Sequence, residues 1–171
     1  MSEVVNLCEE IRLTEAAYVD DLRAMLTVFV RPARKLDMLS EKEKAAIFSN
    51  IEELLLPAEA LLEKLQREGE PVSTIAEAFI GIAPFFKLYC SYCQNYTLAL
   101  STLRKLQGAG PFAEYLASQS ARKEAKGLPL EAFLIKPVQR LTKYPLFFHG
   151  LLKVRAASHT PDAPLASASA E

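Results

Sequence analysis

Cys90 and Cys93 stand in a C-x-x-C, the spacing used by a dithiol redox centre or by one half of a zinc site. No second C-x-x-C accompanies them, and the two histidines, His149 and His159, lie more than fifty residues further on. Because the pair sits inside a long apolar helical pattern, it reads as core cysteine rather than as a reactive centre. His149 lies in an apolar helical stretch, with no serine, cysteine or acid at a spacing from which a catalytic triad follows, and reads as a packed or surface side chain. The chain holds no G-x-x-x-x-G-K-[ST], no G-x-G-x-x-G and no H-E-x-x-H. Nucleotide binding by the chain itself, dinucleotide chemistry and zinc proteolysis therefore lack support, and neither a metal nor a cofactor is implied. Covalent enzymatic chemistry is not expected.

What is unusual is how charge divides between the two ends. Residues 1–21 contain Glu3, Glu9, Glu10, Glu15, Asp20 and Asp21 against Arg12 alone. Residues 132–161 contain Lys136, Arg140, Lys143, Lys153 and Arg155 and no acid, a gap of ten formal charges between the segments. Opposite charge favours their lying side by side, although exposed ion pairs are worth only ~0–1 kcal/mol each.

The elements that must carry these groups are helices. Glycine numbers six in 171 residues, and β-branched residues never gather into alternating runs, so the fold class is all-α. Val4, Leu7, Ile11, Tyr18, Leu22, Met25 and Phe29 recur at steps of three and four, with Thr14 filling the one gap. They form one stripe of a helix about eight turns long, which Arg31-Pro32 ends or kinks. Ser40 and Glu43 have capping-box spacing and open a second helical region, with a kink expected at Pro57 and breakers at Gly69 and Pro71. Ser73 or Thr74 can cap a third helix, roughly 74–106, striped by Ile75, Phe79, Ile82, Phe86, Tyr89, Cys93, Tyr96 and Leu100 and bent at Pro84. A short helix over 112–125 precedes a last strong one over 130–154.

That last helix has more apolar surface than one stripe needs. Leu130, Phe133, Pro137, Leu141, Tyr144, Phe148 and Leu151 share the core face, while Ile135, Gln139, Lys143 and Leu146, flanked by Lys136, point elsewhere. Either another helix of the same domain covers this second face, or it is a partner-binding patch with aliphatic anchors among polar groups. A net charge of −1 gives no reason to expect nucleic acid, and the absence of a long uninterrupted apolar run gives none to expect membrane insertion. Three cysteines fit a reducing compartment, so a cytoplasmic location is expected.

Four strings in order carry a resemblance. LIKPVQRLTKYPLFFHGLLK at 134–153 resembles the third conserved region of Dbl-homology domains, the exchange module of Rho-family guanine nucleotide exchange factors. EIRLTEAAYVDDL at 10–22 resembles the first region, IFSNIEELL at 47–55 the second, and FFKLYCSYCQNYTLAL at 85–100 the helix with the family's Tyr, Cys and Asn pattern. The resemblance implies an elongated all-helical bundle over 1–155, with the Ala/Ser/Pro-rich 156–171 as a tail or the start of a further helix.

It also implies a Rho-family small GTPase as partner and a surface built from the first and third regions. Glu10 matches the family's glutamate that engages switch I; on periodicity it stands roughly 90° from its helix's apolar stripe. Lys136 matches the lysine that contacts switch II, with Gln139, Arg140, Lys143 and Leu146 as neighbours. Arg140 suits a structural ion pair equally well. The implied action is remodelling of the switches and stabilisation of the nucleotide-free GTPase; the alternative is a non-catalytic helical domain that binds a GTPase or another partner without exchange. The family's domain continues into a further long helix, which here would begin near Asp162, so the expectation is an incomplete domain. The apolar groove along Ile135, Gln139 and Leu146 would then be open to self-association, and recruitment to the plasma membrane would fall to regions outside this chain.

Overall fold

The acid-rich N-terminal segment forms the expected long helix, α1 (Glu3–Met25), with Ile11, Tyr18, Val19, Leu22 and Met25 buried along one stripe. The structure is a computed structural model, and it describes residues 3–158. Arg31-Pro32 does not end the helix. The coil widens into a π-helical segment, Leu26–Val30, and runs on as α2 (Arg31–Lys35). Proline cannot donate to the carbonyl four residues earlier, and the Tyr115 hydroxyl supplies the donor, 3.2 Å from Val28 O and 2.7 Å from Phe29 O.

The Ser40–Glu43 capping box opens α3 (Glu41–Phe48) as expected. The second region breaks before Pro57, at Ser49 with φ 43° and a 3-10 turn over Ile51–Leu54, after which α4 (Leu55–Leu65) begins. Pro57 lies in the first turn of α4, where an N–H has no intrahelical acceptor, so it kinks nothing. Glu70, rather than Ser73 or Thr74, caps α5 (Pro71–Ile82), accepting from the N–H groups of Val72 and Ser73, with Pro71 preset at the first helical position. The bend at Pro84 is present as a 3-10 turn over Ala83–Phe85 leading into α6 (Phe86–Leu106). The α5–α6 stretch is long and apolar enough by composition to cross a membrane, but its apolar stripe, from Ile75 and Phe79 to Tyr89 and Tyr92, is buried inside the bundle.

Then come α7 (Pro111–Ser120), a 3-10 turn over Lys123–Ala125, α8 (Leu130–Leu134) and α9 (Lys136–Ser158). The last expected helix is thus two, divided just before Pro137, and the Tyr92 hydroxyl donates to the freed carbonyl of Leu134 at 2.7 Å. No strand occurs among the described residues.

Two apolar clusters fill the bundle. The larger joins the C-terminal half of α1, α3, α6 and α8 through Leu22, Phe29, Phe48, Tyr92 and Phe133. The smaller joins the N-terminal half of α1 to α4, α5 and α9 through Ile11, Leu61, Phe79, Tyr144 and Leu151. Phe147, rather than Phe148, is the more deeply buried of that pair. Cys90 is exposed and Cys93 half-buried, contrary to the core reading. Tyr89 and Tyr92 take the core-facing positions of that turn, and Cys90, one residue past Tyr89, is rotated about 100° away from the core. His149 is exposed, while His159 and Asp162 lie outside the described residues.

Candidate functional site

The two oppositely charged ends do lie together. Contacts pair Leu7 with Gly150, Glu15 with Arg140 and Asp21 with Lys136, so α1 and α9 run antiparallel along their length. At Gly150 the approach is tight, for a Cβ added there would stand 3.0 Å from Leu7 Cδ2.

Between the two apolar clusters the contact is ionic. Glu15 is fully buried, and Arg140 is 4% exposed. Arg140 donates to Glu15 Oε2 from Nε at 2.8 Å and from Nη2 at 2.6 Å, and to Thr14 Oγ1 from Nη1 at 3.0 Å. The Tyr144 hydroxyl lies 3.1 Å from the same Glu15 oxygen, and the Tyr18 hydroxyl donates to that of Tyr89 at 3.2 Å. The Arg140 guanidinium also lies against the rings of Tyr144 and Phe147. Burial pushes the Glu15 carboxyl above its ordinary range, with Arg140 and then Tyr144 opposing. Burial likewise holds the Tyr18 and Tyr144 phenols well above theirs.

Outside this seam two stripes face solvent. Glu10, Thr14, Ala17 and Asp21 recur at steps of four, three and four on α1. Lys136, Gln139, Lys143 and Leu146 recur at three, four and three on α9, continued by Gly150 and Lys153. A shallow groove of about 230 Å³ runs between Asp21, Ala17 and Thr14 on one side and Lys136, Gln139 and Lys143 on the other. A second hollow, of about 400 Å³, is lined by Glu10, Leu7, Gly150 and Lys153. Glu10 and Asp21, eleven residues apart, are separated by roughly 16 Å along the helix.

The Glu10 carboxylate is exposed and makes no hydrogen bond or ion pair among the described residues; only its backbone carbonyl is engaged, by the Thr14 hydroxyl. Lys136 is one-quarter exposed; its ammonium donates to Asp21 Oδ2 at 2.6 Å and lies 5.5 Å from the centre of the Phe133 ring. Gln139 and Lys143 are exposed, and Leu146 is 69% exposed, an aliphatic side chain standing in water at the edge of the seam. Ile135 is half-buried. Five of the six expected residues thus reach the surface, and Arg140 does not. Asp21 was not singled out from sequence, although its position on the Glu10 stripe, opposite a lysine-bearing helix, was a usable signal. No cluster of three or more metal-ligating side chains occurs among the described residues.

The oppositely charged end helices thus meet on a buried ion pair and leave an exposed acid, basic groups and an aliphatic side chain along one seam. The RhoGEF domain model matches residues 7–170, and the chain belongs to that family, the Dbl-homology domains. It is 35% identical over 165 residues to the Myosin-M heavy chain of Dictyostelium discoideum, covering 94% of this chain and 9% of that protein. To the RhoGEF domain-containing protein gxcJ of the same organism it is 36% identical over 154 residues, covering 90% and 13%. The chain therefore spans about a tenth of the length of these curated relatives. A solved structure of the Vav1 exchange factor superposes with a TM-score of 0.80 at 28% identity, covering 93% of this chain and 42% of that one.

Proposed function

We propose that the chain is the GTPase-engaging bundle of a guanine nucleotide exchange factor for a Rho-family small GTPase, acting through the α1–α9 seam. The observation that carries this reading is the pair of facing stripes in a RhoGEF-family fold, with a Glu10 carboxylate that is exposed and unpaired among the described residues at one end and a partly exposed Lys136 ammonium at the other. Both groups are of the kind that can pair with switch-region side chains or backbone, which bound nucleotide and magnesium would otherwise hold. Release is accelerated only as far as the bundle prefers the nucleotide-free GTPase over the loaded one. Gln139, Lys143 and Leu146 border the contact. Arg140, saturated inside the bundle, serves it by fixing α9 on α1.

The test is release of labelled GDP from a panel of Rho-family GTPases. Glu10→Ala and Lys136→Ala are each expected to slow release tenfold or more, since losing a charge-assisted contact in a desolvated interface costs ~2 kcal/mol or more. Thermal midpoints should change little, because Glu10 is exposed and the Lys136–Asp21 pair is partly exposed. Full activity in both variants would show that the surface lies elsewhere. The engagement of Lys136 by Asp21 leaves room for a second reading, a domain that binds the GTPase without exchange; tight binding with unaltered GDP release would establish it.

A further inference from the structure

Asp21 lines the groove between α1 and α9, with 16% of its side chain exposed, and its two oxygens face two different lysines. Oδ2 accepts from Lys136 of α9 at 2.6 Å, and Oδ1 lies 3.6 Å from the ammonium of Lys126. Lys126 belongs to no helix. It closes the 3-10 turn after α7 in a left-handed backbone conformation, φ 54°, followed by Gly127 at φ 72°, so the turn itself sends its side chain back toward α1. The neighbouring acid, Asp20, is turned to Arg23 at 3.4 Å, and Lys143 lines the same groove two turns further along α9 than Lys136.

We propose that Asp21 is a positioning residue of the exchange surface, holding Lys126 and Lys136 as a two-cation clamp for one acidic side chain of the GTPase. The proposal rests on the exchange reading above. Two cations around one carboxylate leave the cluster with a net charge of +1, so it still attracts an anion. Each ammonium has three donors, and the Asp21 contact occupies one on Lys136. Long lysine side chains ordinarily lose rotamer freedom on binding; Asp21 and the Phe133 ring order Lys136 before the partner arrives, which removes that loss from the binding step. Lys126, two-thirds exposed, acts at the rim, where charge governs encounter rate and salt response more than the strength of the final complex.

The test uses the full chain with Asp21→Asn and Lys126→Gln, and two measurements. In the chain alone, the acylation rate of each lysine by a small amine-reactive reagent is read by peptide mass spectrometry. Asp21→Asn should raise the rate at Lys136 several-fold and leave Lys42, exposed on α3 and outside the groove lining, as an unchanged internal standard. In GDP-release titrations, Asp21→Asn should raise the half-saturating concentration of exchange factor roughly five-fold or more, and Lys126→Gln should raise it too while flattening its dependence on salt. Unchanged acylation of Lys136 in Asp21→Asn, or wild-type half-saturation and salt response in Lys126→Gln, would overturn the proposal while wild-type exchange stands. Absence of exchange by the wild-type chain on every Rho-family GTPase would instead remove the exchange reading, and the clamp with it. If Asp21→Asn does not fold, Lys126→Gln, which alters an exposed side chain, decides alone.

Discussion

Glu15 and Arg140 show how differently a charge behaves inside the bundle and on it. Both are desolvated, and their hydrogen bonds to each other, to Thr14 and to Tyr144 offset that cost only because all are present together. Arg140→Met should leave Glu15 without its cation and destabilise the chain by ~3–5 kcal/mol, read as a shift of the urea midpoint. The double variant Glu15→Leu, Arg140→Met should recover most of that loss, since a well-packed apolar pair often matches a buried ionic one. A double variant no more stable than Arg140→Met alone would show that the pair contributes net stability beyond mutual compensation. Part of this was legible in the sequence. The acidic start and basic end pointed to adjacent helices, and Arg140 was already as fit for a structural pair as for a contact. That the pair would be buried was not legible, because burial depends on which turn of α1 meets which turn of α9.

Among the elements, the prolines decide what could be read in advance. Local rules held where a few neighbouring residues settle the outcome: the Ser40–Glu43 box, the three-four stripe of α1 and the bend at Pro84. They failed where a distant side chain repairs the backbone. Pro32 lies inside a continuous helical path because Tyr115, more than eighty residues away, donates to Val28 O and Phe29 O. The break ahead of Pro137 is closed in the same way by Tyr92 on Leu134 O. No window of sequence shows such a donor. Tyr115→Phe keeps the ring and removes only the hydroxyl. It should cost ~1–3 kcal/mol, the range for stranding a partly buried acceptor, and should speed amide exchange through Leu26–Lys35 more than through α4 or α6. Uniform acceleration across all helices would mean the hydroxyl contributes only to global stability and does not latch the π segment.

For the whole molecule, the tyrosines couple the bundle's stability to pH. All six phenols, Tyr18, Tyr89, Tyr92, Tyr96, Tyr115 and Tyr144, are held above their ordinary value of 10, chiefly by burial. Tyr89 and Tyr115 are pushed up to about 12. In the unfolded chain the same groups ionise near 10, so above that pH the unfolded state has released protons that the folded state still holds. Stability is therefore fully present below pH 10 and falls as pH rises from there toward the folded values. Each phenol contributes a slope of about 1.4 kcal/mol per pH unit while it stays protonated in the fold. Tyr18, Tyr89, Tyr92 and Tyr144 are all nearly inaccessible to water, and together they would lose ~5 kcal/mol per unit, comparable with the whole stability of an ordinary domain. The bundle should then unfold cooperatively one to two units above pH 10, before its core phenols titrate in place. Far-ultraviolet circular dichroism and the larger part of the tyrosinate absorbance, that of the four core phenols, followed together in an alkaline titration, should change in one coincident step. Tyr92→Phe should shift that step upward in pH only if the stability lost with its hydrogen bond to Leu134 O is smaller than the linkage relieved. Tyrosinate appearing near pH 10 with the helical signal intact would show that the phenols are open to water, and would remove burial as the cause of their shifts.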